Sequence, residues 1–248
     1  MSLRISVVMP AFNEAEILAT SVKSVVEGLR GHGEPFEVII VENGSTDGTL
    51  ELARQIVSEL PEVAVEHRDE ADYGRALRHG LLTAKGDAVV NFDADYFDLD
   101  FLTAAVARVL APDGPAIVVG SKRAVGATDT RSPLRKTATW TFSTLLRVGF
   151  GLGVSDTHGM KAMNRAAVEP YAQQCSSGQD LFDTELILRV ERAGLDADEI
   201  PVAVHELRPA RSSFLSRVPR TLRGLCKLKI ALYREKQVHR SSSAARAS

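Results

Sequence analysis

"VVNFDADYFD" (residues 89–98) begins as an apolar strand and ends in a cluster of acid. Asp93, Asp95 and Asp98 fall within six residues, and Asp100 follows two later. Carboxylates this close repel one another and gain nothing from burial. The apolar run before them suits a strand buried on both faces, the kind found in parallel sheets. Ligands of such sheets collect at the carboxyl ends of the strands. The acids therefore stand where a ligand is expected.

Outward from this stretch, strands and helices alternate. "RISVVMP" (4–10), "PFEVIIVE" (35–42) and "VAVEH" (63–67) read as strands, and "DAVVNF" (87–92) is the fourth. "NEAEILATSVKSVVEGL" (13–29) places Ile17, Leu18, Val22, Val25, Val26 and Leu29 at helical spacing, with Asn13 as the expected N-cap. Helices at 50–60 and 73–86 fill the other gaps. Beyond the acids come a helix at 100–110, a strand at 115–123 and a polar loop at 124–132. A helix from Pro133 to about Phe150, a short strand at 159–164, a helix at 180–194 and a strand at 198–207 follow. The alternation predicts an α/β domain with a mostly parallel central sheet flanked by helices. No linker or internal repeat breaks residues 1–212, which are expected to form one domain. A basic amphipathic helix is expected over 213–240, and a disordered tail over 241–248.

The 248 residues are 44% hydrophobic and 25% charged, the balance of an ordinary globular chain. Cys175 and Cys226 lie far apart and outside any C-x-x-C pattern. That disfavours a disulfide scaffold or a thiolate zinc site and points to a reducing cytoplasm. The apolar run of "MSLRISVVMP" is too short for a signal peptide, and no stretch reaches the roughly 20 apolar residues of a membrane span. The net charge of -2 conceals an asymmetry: residues 208–240 hold ten Lys or Arg against Glu235, while residues 1–207 carry -12. A basic end on an acidic body suits phosphate or an anionic bilayer touched peripherally, and no nucleic-acid partner is expected. The rival readings are a solvated helix face and an apolar stripe packed on the protein's own sheet.

Clustered carboxylates become favourable around a hard divalent cation, and Mg2+ or Mn2+ is normally shared with phosphate oxygens. The alternative is that Asp93 and Asp95 cap the next helix. After the first strand comes "PAFNEAE", with neither G-x-G-x-x-G nor G-x-x-x-x-G-K-[ST], so a dinucleotide site and a P-loop are both disfavoured. The loops expected to converge are Pro10–Glu14, Glu42–Asp47, Arg68–Asp72 and Asp93–Asp98.

Taken together these segments resemble a known family. "MPAFNEAE", "VIIVENGSTDGT" and "FDAD" are similar to the ordered motifs of the family 2 inverting glycosyltransferases of GT-A fold, and "DYGRALRHGLLTAKGD" to the helix before their D-x-D strand. "GSKR" (120–123), "RK" (135–136), "DTHGMKAMNR" (156–165) and "LFDTELILRVERAGLDADEIPVAVHE" (181–206) resemble the polyprenyl-phosphate hexosyltransferases, the dolichol-phosphate mannose or glucose synthase type. The likeness runs from residue 4 to about 215. It implies a nucleotide-sugar donor of the GDP-mannose or UDP-glucose kind and a polyprenyl phosphate acceptor. The oligomeric state stays open.

On this resemblance Pro10, Ala11 and Glu14 frame the nucleobase and ribose, Glu42 contacts base or ribose, and Gly74 and Arg75 border the donor diphosphate. Asp93 and Asp95 bind the metal, with the backbone of Ala94 nearby. Three departures stand out. Asn43 replaces a second acid and Asp72 an expected glycine. Phe97 takes the place of a Gln or Ser contact, so Asp98 is expected to substitute at the metal. Arg123, Arg135 and Arg211 match cations around the acceptor phosphate, a role that suits the planar guanidinium fork. Asp156, Asp183 and Glu185 fall in acceptor-side motifs. A phosphate acceptor is already anionic and needs no base, whereas a hydroxyl acceptor makes Asp183 or Asp180 the candidate. Two alternatives accompany this reading: a relative using a soluble hydroxyl or thiol acceptor, and a non-catalytic nucleotide-sugar-binding module. The intact D-x-D and Glu42 argue against the module.

Overall fold

All seven residues of the first strand, Ile5–Ala11, are buried. A strand flanked on both edges and covered on both faces leaves no surface for water, which is why it reads as an unbroken apolar run. The computed structural model describes residues 4–121, 128–129, 133–204 and 221–235. Along the chain lie β1 (Ile5–Ala11), α1 (Leu18–His32), β2 (Phe36–Asn43), α2 (Thr49–Glu59), β3 (Val63–Arg68), α3 (Tyr73–Thr83), β4 (Ala88–Asn91) and α4 (Leu99–Val109). Then come β5 (Ile117–Ser121), β6 (Thr128–Asp129), α5 (Pro133–Phe150), β7 (Lys161–Asn164) and α6 (Arg165–Gln174). A 3-10 turn, η1 (Gln179–Leu181), leads into α7 (Phe182–Arg192), β8 (Ala197–Pro201) and β9 (Ala203–Val204).

Seven strands form one sheet in the order β3-β2-β1-β4-β7-β5-β8. β7 runs antiparallel to β4 and β5, and the other pairings in this sheet are parallel. β6 and β9 form a separate parallel pair. The chain is thus α/β with a mostly parallel sheet, and β1 to β4 lie within a residue or two of their predicted spans. One consequence decides the site. Because β7 is reversed, its first residue, Lys161, lies opposite Asn91, the last residue of β4. The start of one strand joins the ends of the others at a single edge.

The core is aliphatic: Ile5, Val7 and Met9 of β1, Val38 and Ile40 of β2 and Val90 of β4 meet Leu18, Val22 and Val25 of α1. Each such side chain contributes about 1.5–3 kcal/mol on full burial. On the opposite face α3 lies close to the sheet through Gly80, where a Cβ would come within 2.3 Å of Val8 Cγ1.

Three elements differ from expectation. α1 starts at Leu18, and Asn13 does not cap it. Asn13 takes a left-handed φ of 56° and its side chain accepts from Thr46 N, so the β2 loop draws it away from the helix. The strand expected over 198–207 is interrupted at Val202, giving β8 and β9, and its last residues lie outside the described ones. α6 went unpredicted because Pro170 sits inside it and only Val168 and Ala172 mark a buried face.

By contacts the chain divides into two units, Met1–Arg208 and Pro209–Ser248. In the second, residues 221–235 are helical, with Leu225, Leu228 and Leu232 buried and Leu222, Ile230 and Tyr233 exposed. Among the described residues no helix is long and apolar enough to cross a membrane.

Candidate active site

β4 delivers the acids. Phe92 extends the ladder by donating to Val8 O, and Asp93 and Tyr96 then exchange backbone hydrogen bonds of 3.2 and 3.1 Å. This closes a tight turn with Ala94 and Asp95 at its tip. Ala94 is buried, and its carbonyl accepts from Ser21 Oγ at 2.6 Å. Asp95 is exposed, while Asp93 is half-buried and accepts from the Tyr73 hydroxyl at 2.8 Å. Burial pushes the Asp93 carboxyl above its ordinary range; the Tyr73 bond and Lys161 pull it back, and Asp95 and Asp183 push it further. Burial, with the negative charge of Asp93 and Asp183, likewise raises the Tyr73 phenol.

Neither Asp93 nor Asp95 caps the following helix. Asp98 does so, accepting from Phe101 N at 2.9 Å. The cap engages Oδ1 of Asp98. Among the described residues no three His, Cys, Asp or Glu side chains converge as a metal site. Asp93 and Asp95 offer two hard oxygen ligands, in a spot where burial and mutual repulsion work against negative charge on Asp93. That set fits Mg2+ or Mn2+ with the remaining positions filled by diphosphate oxygens and water.

The other strand-end loops interlock through side chains that hold backbone groups. Asn13 N donates to Ser45 Oγ, Glu14 N to Thr49 Oγ1, and Ala15 N to Asp47 Oδ2, tying the β1 loop to the β2 loop. Asn43 Oδ1 accepts from Asp72 N at 2.7 Å and ties β2 to the loop before α3. Pro10 and Ala11 are buried in β1 itself, and Glu14 is partly exposed beside them. Glu42 is fully buried, and its oxygens accept from Ser45 N at 2.6 Å and meet His67 Nδ1 at 2.5 Å. Burial works against its charge, but the bonds from Ser45 and His67 outweigh it and hold the carboxyl below its ordinary range. With both oxygens engaged, Glu42 shapes the loop and orients His67.

Lys161 brings a cation to the same edge. It is fully buried, donates to Gly159 O at 2.7 Å and pairs with Asp183 Oδ1 at 3.1 Å. Asp183 Oδ1 has no aligned hydrogen bond, and neither does the buried Asn91 Oδ1 beneath the turn. Asp183 is therefore half of a buried ion pair. Glu185 is also buried: Oε2 accepts from Ser176 N and Ser177 N, and Oε1 from Arg189. Both of its oxygens are thus engaged within the protein. Asp156 is buried and accepts from His158 N.

Gly74 was expected to border the diphosphate, yet its missing Cβ serves another contact: a Cβ there would lie 2.5 Å from Gln179 O. Arg75 is exposed and pairs with Glu70 at 3.1 Å. Arg123 and Arg211 lie outside the described residues, and of Arg135 only its place in the first turn of α5 is described. Sequence reasoning missed Tyr73, Asn91 and Lys161 as members of this site. The signal for Lys161 was present: a single charged residue inside a strand otherwise apolar at its buried positions demands a partner.

Comparison with known proteins now adds to this geometry. Residues 6–171 match the profile of Glycosyl transferase family 2. Glycosyltransferase AglD of Haloferax volcanii is 31% identical over 205 residues, covering 81% of this chain and 33% of that protein. Dolichyl-phosphate beta-glucosyltransferase of Saccharomyces cerevisiae is 28% identical over 225 residues, covering 82% of this chain and 67% of that protein. The chain thus spans a third of AglD and two thirds of the yeast enzyme. Among solved structures, the mannosyltransferase PcManGT of Pyrobaculum calidifontis, in complex with GDP-Man and Mn2+, superposes with a TM-score of 0.61 at 22% identity, covering 94% of this chain and 65% of its own. Glucosyl-3-phosphoglycerate synthase of Mycobacterium tuberculosis gives 0.63 at 23%, covering 92% and 78%.

Proposed function

The chain belongs to glycosyl transferase family 2, and from that premise we propose that it moves a hexose from a nucleotide-sugar to polyprenyl phosphate. The observation that carries this reading is the Asp93–Asp95 turn, two carboxylates at the carboxyl edge of β4 with Tyr73 and Lys161 beside them. An oxygen of the acceptor phosphate attacks the anomeric carbon as the bond from that carbon to the donor diphosphate breaks. The products are the lipid-phosphate hexoside, with inverted configuration, and the nucleoside diphosphate. Asp93 and Asp95 would hold Mg2+ or Mn2+, which when bound offsets the charge gathering on the departing diphosphate. The interlocked loops of β1, β2 and β3 form the floor for nucleobase and ribose.

The acceptor assignment draws on two supports. The names of the relatives include dolichyl-phosphate and undecaprenyl-phosphate sugar transferases. Of the acids placed on the acceptor side, Glu185 is sealed and Asp183 is bound to Lys161. A phosphate nucleophile has no proton to lose and needs neither. Arg123 and Arg135 would meet the acceptor phosphate, and the exposed Arg223, Lys227, Lys229 and Arg234 of the helix over 221–235 would face an anionic bilayer.

A donor screen tests the reading. GDP-mannose and UDP-glucose are incubated with Mn2+, with and without polyprenyl phosphate, and released nucleoside diphosphate and glycolipid are measured. Release that depends on the lipid phosphate is expected from one donor. Equal turnover of every donor on soluble hydroxyl acceptors, with no glycolipid, overturns the proposal.

A further inference from the structure

Residues 176–179, "SSGQ", are held by carboxylates from two different helices. Ser176 N and Ser177 N donate to Glu185 of α7, and Gln179 N donates to Asp72 Oδ1 at 2.6 Å. Asp72 is the N-cap of α3 and accepts from Arg75 N with the same oxygen. Its own backbone N–H donates to Asn43 at the end of β2. The next residue, Tyr73, donates to Asp93.

The contact is tight enough to constrain backbone. Gln179 has a φ of 47°, a left-handed conformation that a non-glycine residue keeps only where its surroundings impose it. Two glycines allow the approach. A Cβ on Gly74 would lie 2.5 Å from Gln179 O and 2.7 Å from its N, and one on Gly178 would lie 2.3 Å from Asp72 Oδ2. The strained residue, the partly buried carboxylate bond and the paired glycines all converge on one junction.

We propose that Asp72 is a positioning residue that locks the segment 176–181 to the donor half of the site. The lock runs from Asn43 through Asp72 to Gln179, and it leads directly into α7 with Asp183. Donor loops and the wall beyond them thus move as one body. This rests on the hexosyltransferase reading above for its consequence: the wall stays in register with the donor while the acceptor phosphate approaches.

Three variants test it, all checked for folding by circular dichroism. Asp72→Ala removes the lock and the helix cap. Asp72→Ser keeps a cap for Arg75 N but has a shorter reach to Gln179. Gly74→Ala leaves Asp72 in place, favours the helix, and pushes on Gln179 from the other side. In all three, hydrogen exchange over 176–181 should quicken relative to wild type. The KM for polyprenyl phosphate should rise about tenfold in Asp72→Ala, the loss of one charge-assisted bond, and should rise in the other two as well. In the two Asp72 variants the dissociation constant for nucleoside diphosphate with Mn2+, read by calorimetry, should stay within about threefold of wild type. Wild-type exchange over 176–181 in Asp72→Ala and Gly74→Ala overturns the lock. Faster exchange with an unchanged acceptor KM overturns its positioning role. If wild type uses no polyprenyl phosphate at all, the functional reading falls, and the exchange measurement still decides the lock.

Discussion

Replacing Lys161 with methionine should destabilise this protein severely, and the pair it breaks sets the size of the loss. Its ammonium and Asp183 are 3.1 Å apart, with side-chain exposures of 1% and 6%. At an effective dielectric of about 20 the attraction over that distance is roughly 5 kcal/mol, before the desolvation of both ions is set against it. Removing the cation alone leaves a buried carboxylate uncompensated, which costs about 3–5 kcal/mol. A domain holds about 5–15 kcal/mol in all. Lys161→Met should therefore lower the urea midpoint sharply, while Lys161→Met with Asp183→Asn removes both charges and should recover most of the loss. Urea denaturation followed by circular dichroism gives all the corners of the double-mutant cycle. A loss below about 1 kcal/mol for Lys161→Met refutes the buried-pair reasoning. The Asp183→Asn corner also bears on chemistry: a nucleophile with no proton needs no base, so the folded fraction of that variant should keep transfer activity. A folded but wholly inactive Asp183→Asn would return Asp183 to the role of base.

Asp95→Ala should abolish transfer without unfolding, because Asp95 is exposed at the turn tip, and excess EDTA should silence the wild type; full turnover in chelator refutes the metal assignment. Arg135→Ala should lower the rate at subsaturating polyprenyl phosphate by about ten- to hundred-fold, while Asp180→Asn does little; the reverse pattern favours a hydroxyl acceptor. The Glu42–His67 pair predicts a pH window. The Glu42 bond chiefly raises the His67 pKa above 6.5, so its contribution is full below 6.5 and fades as pH climbs through the raised value. Glu42 sits below its ordinary 4.5, so its contribution is full above 4.5 and fades as pH falls through the lowered value. Imidazole NMR should place the His67 midpoint above 6.5, and a midpoint below it removes the pair. Flotation with anionic vesicles at low salt should carry the protein upward, and binding only to neutral vesicles would refute the electrostatic account.

Much of this protein was written in its order of residues. Parallel strands buried on both faces need apolar runs, and a run closed by Pro, Gly or acid fixes its own end, so β1 to β4 and the edge where ligands gather were legible from pattern alone. The position of Asp93 and Asp95 was legible for the same reason: acids directly after a buried strand end it and stand at the edge where ligands of a parallel sheet collect. What pattern could not supply was the partner of each polar group. Asp98, Glu185 and Glu42 look like Asp93 in sequence, yet the first caps α4, the second clamps Ser176 and Ser177, and the third clamps Ser45. A carboxylate meets a metal or a backbone N–H with equal ease, and which it meets depends on what the fold brings within 3 Å. Lys161 makes the same point from the other side. Its charge was visible inside a short strand, but only the reversal of β7 against β4 sets it opposite Asn91, beside Asp183 and within reach of the field of Asp93. The direction of a strand is a property of the whole sheet, set by where the chain can return, and no local run of residues encodes it.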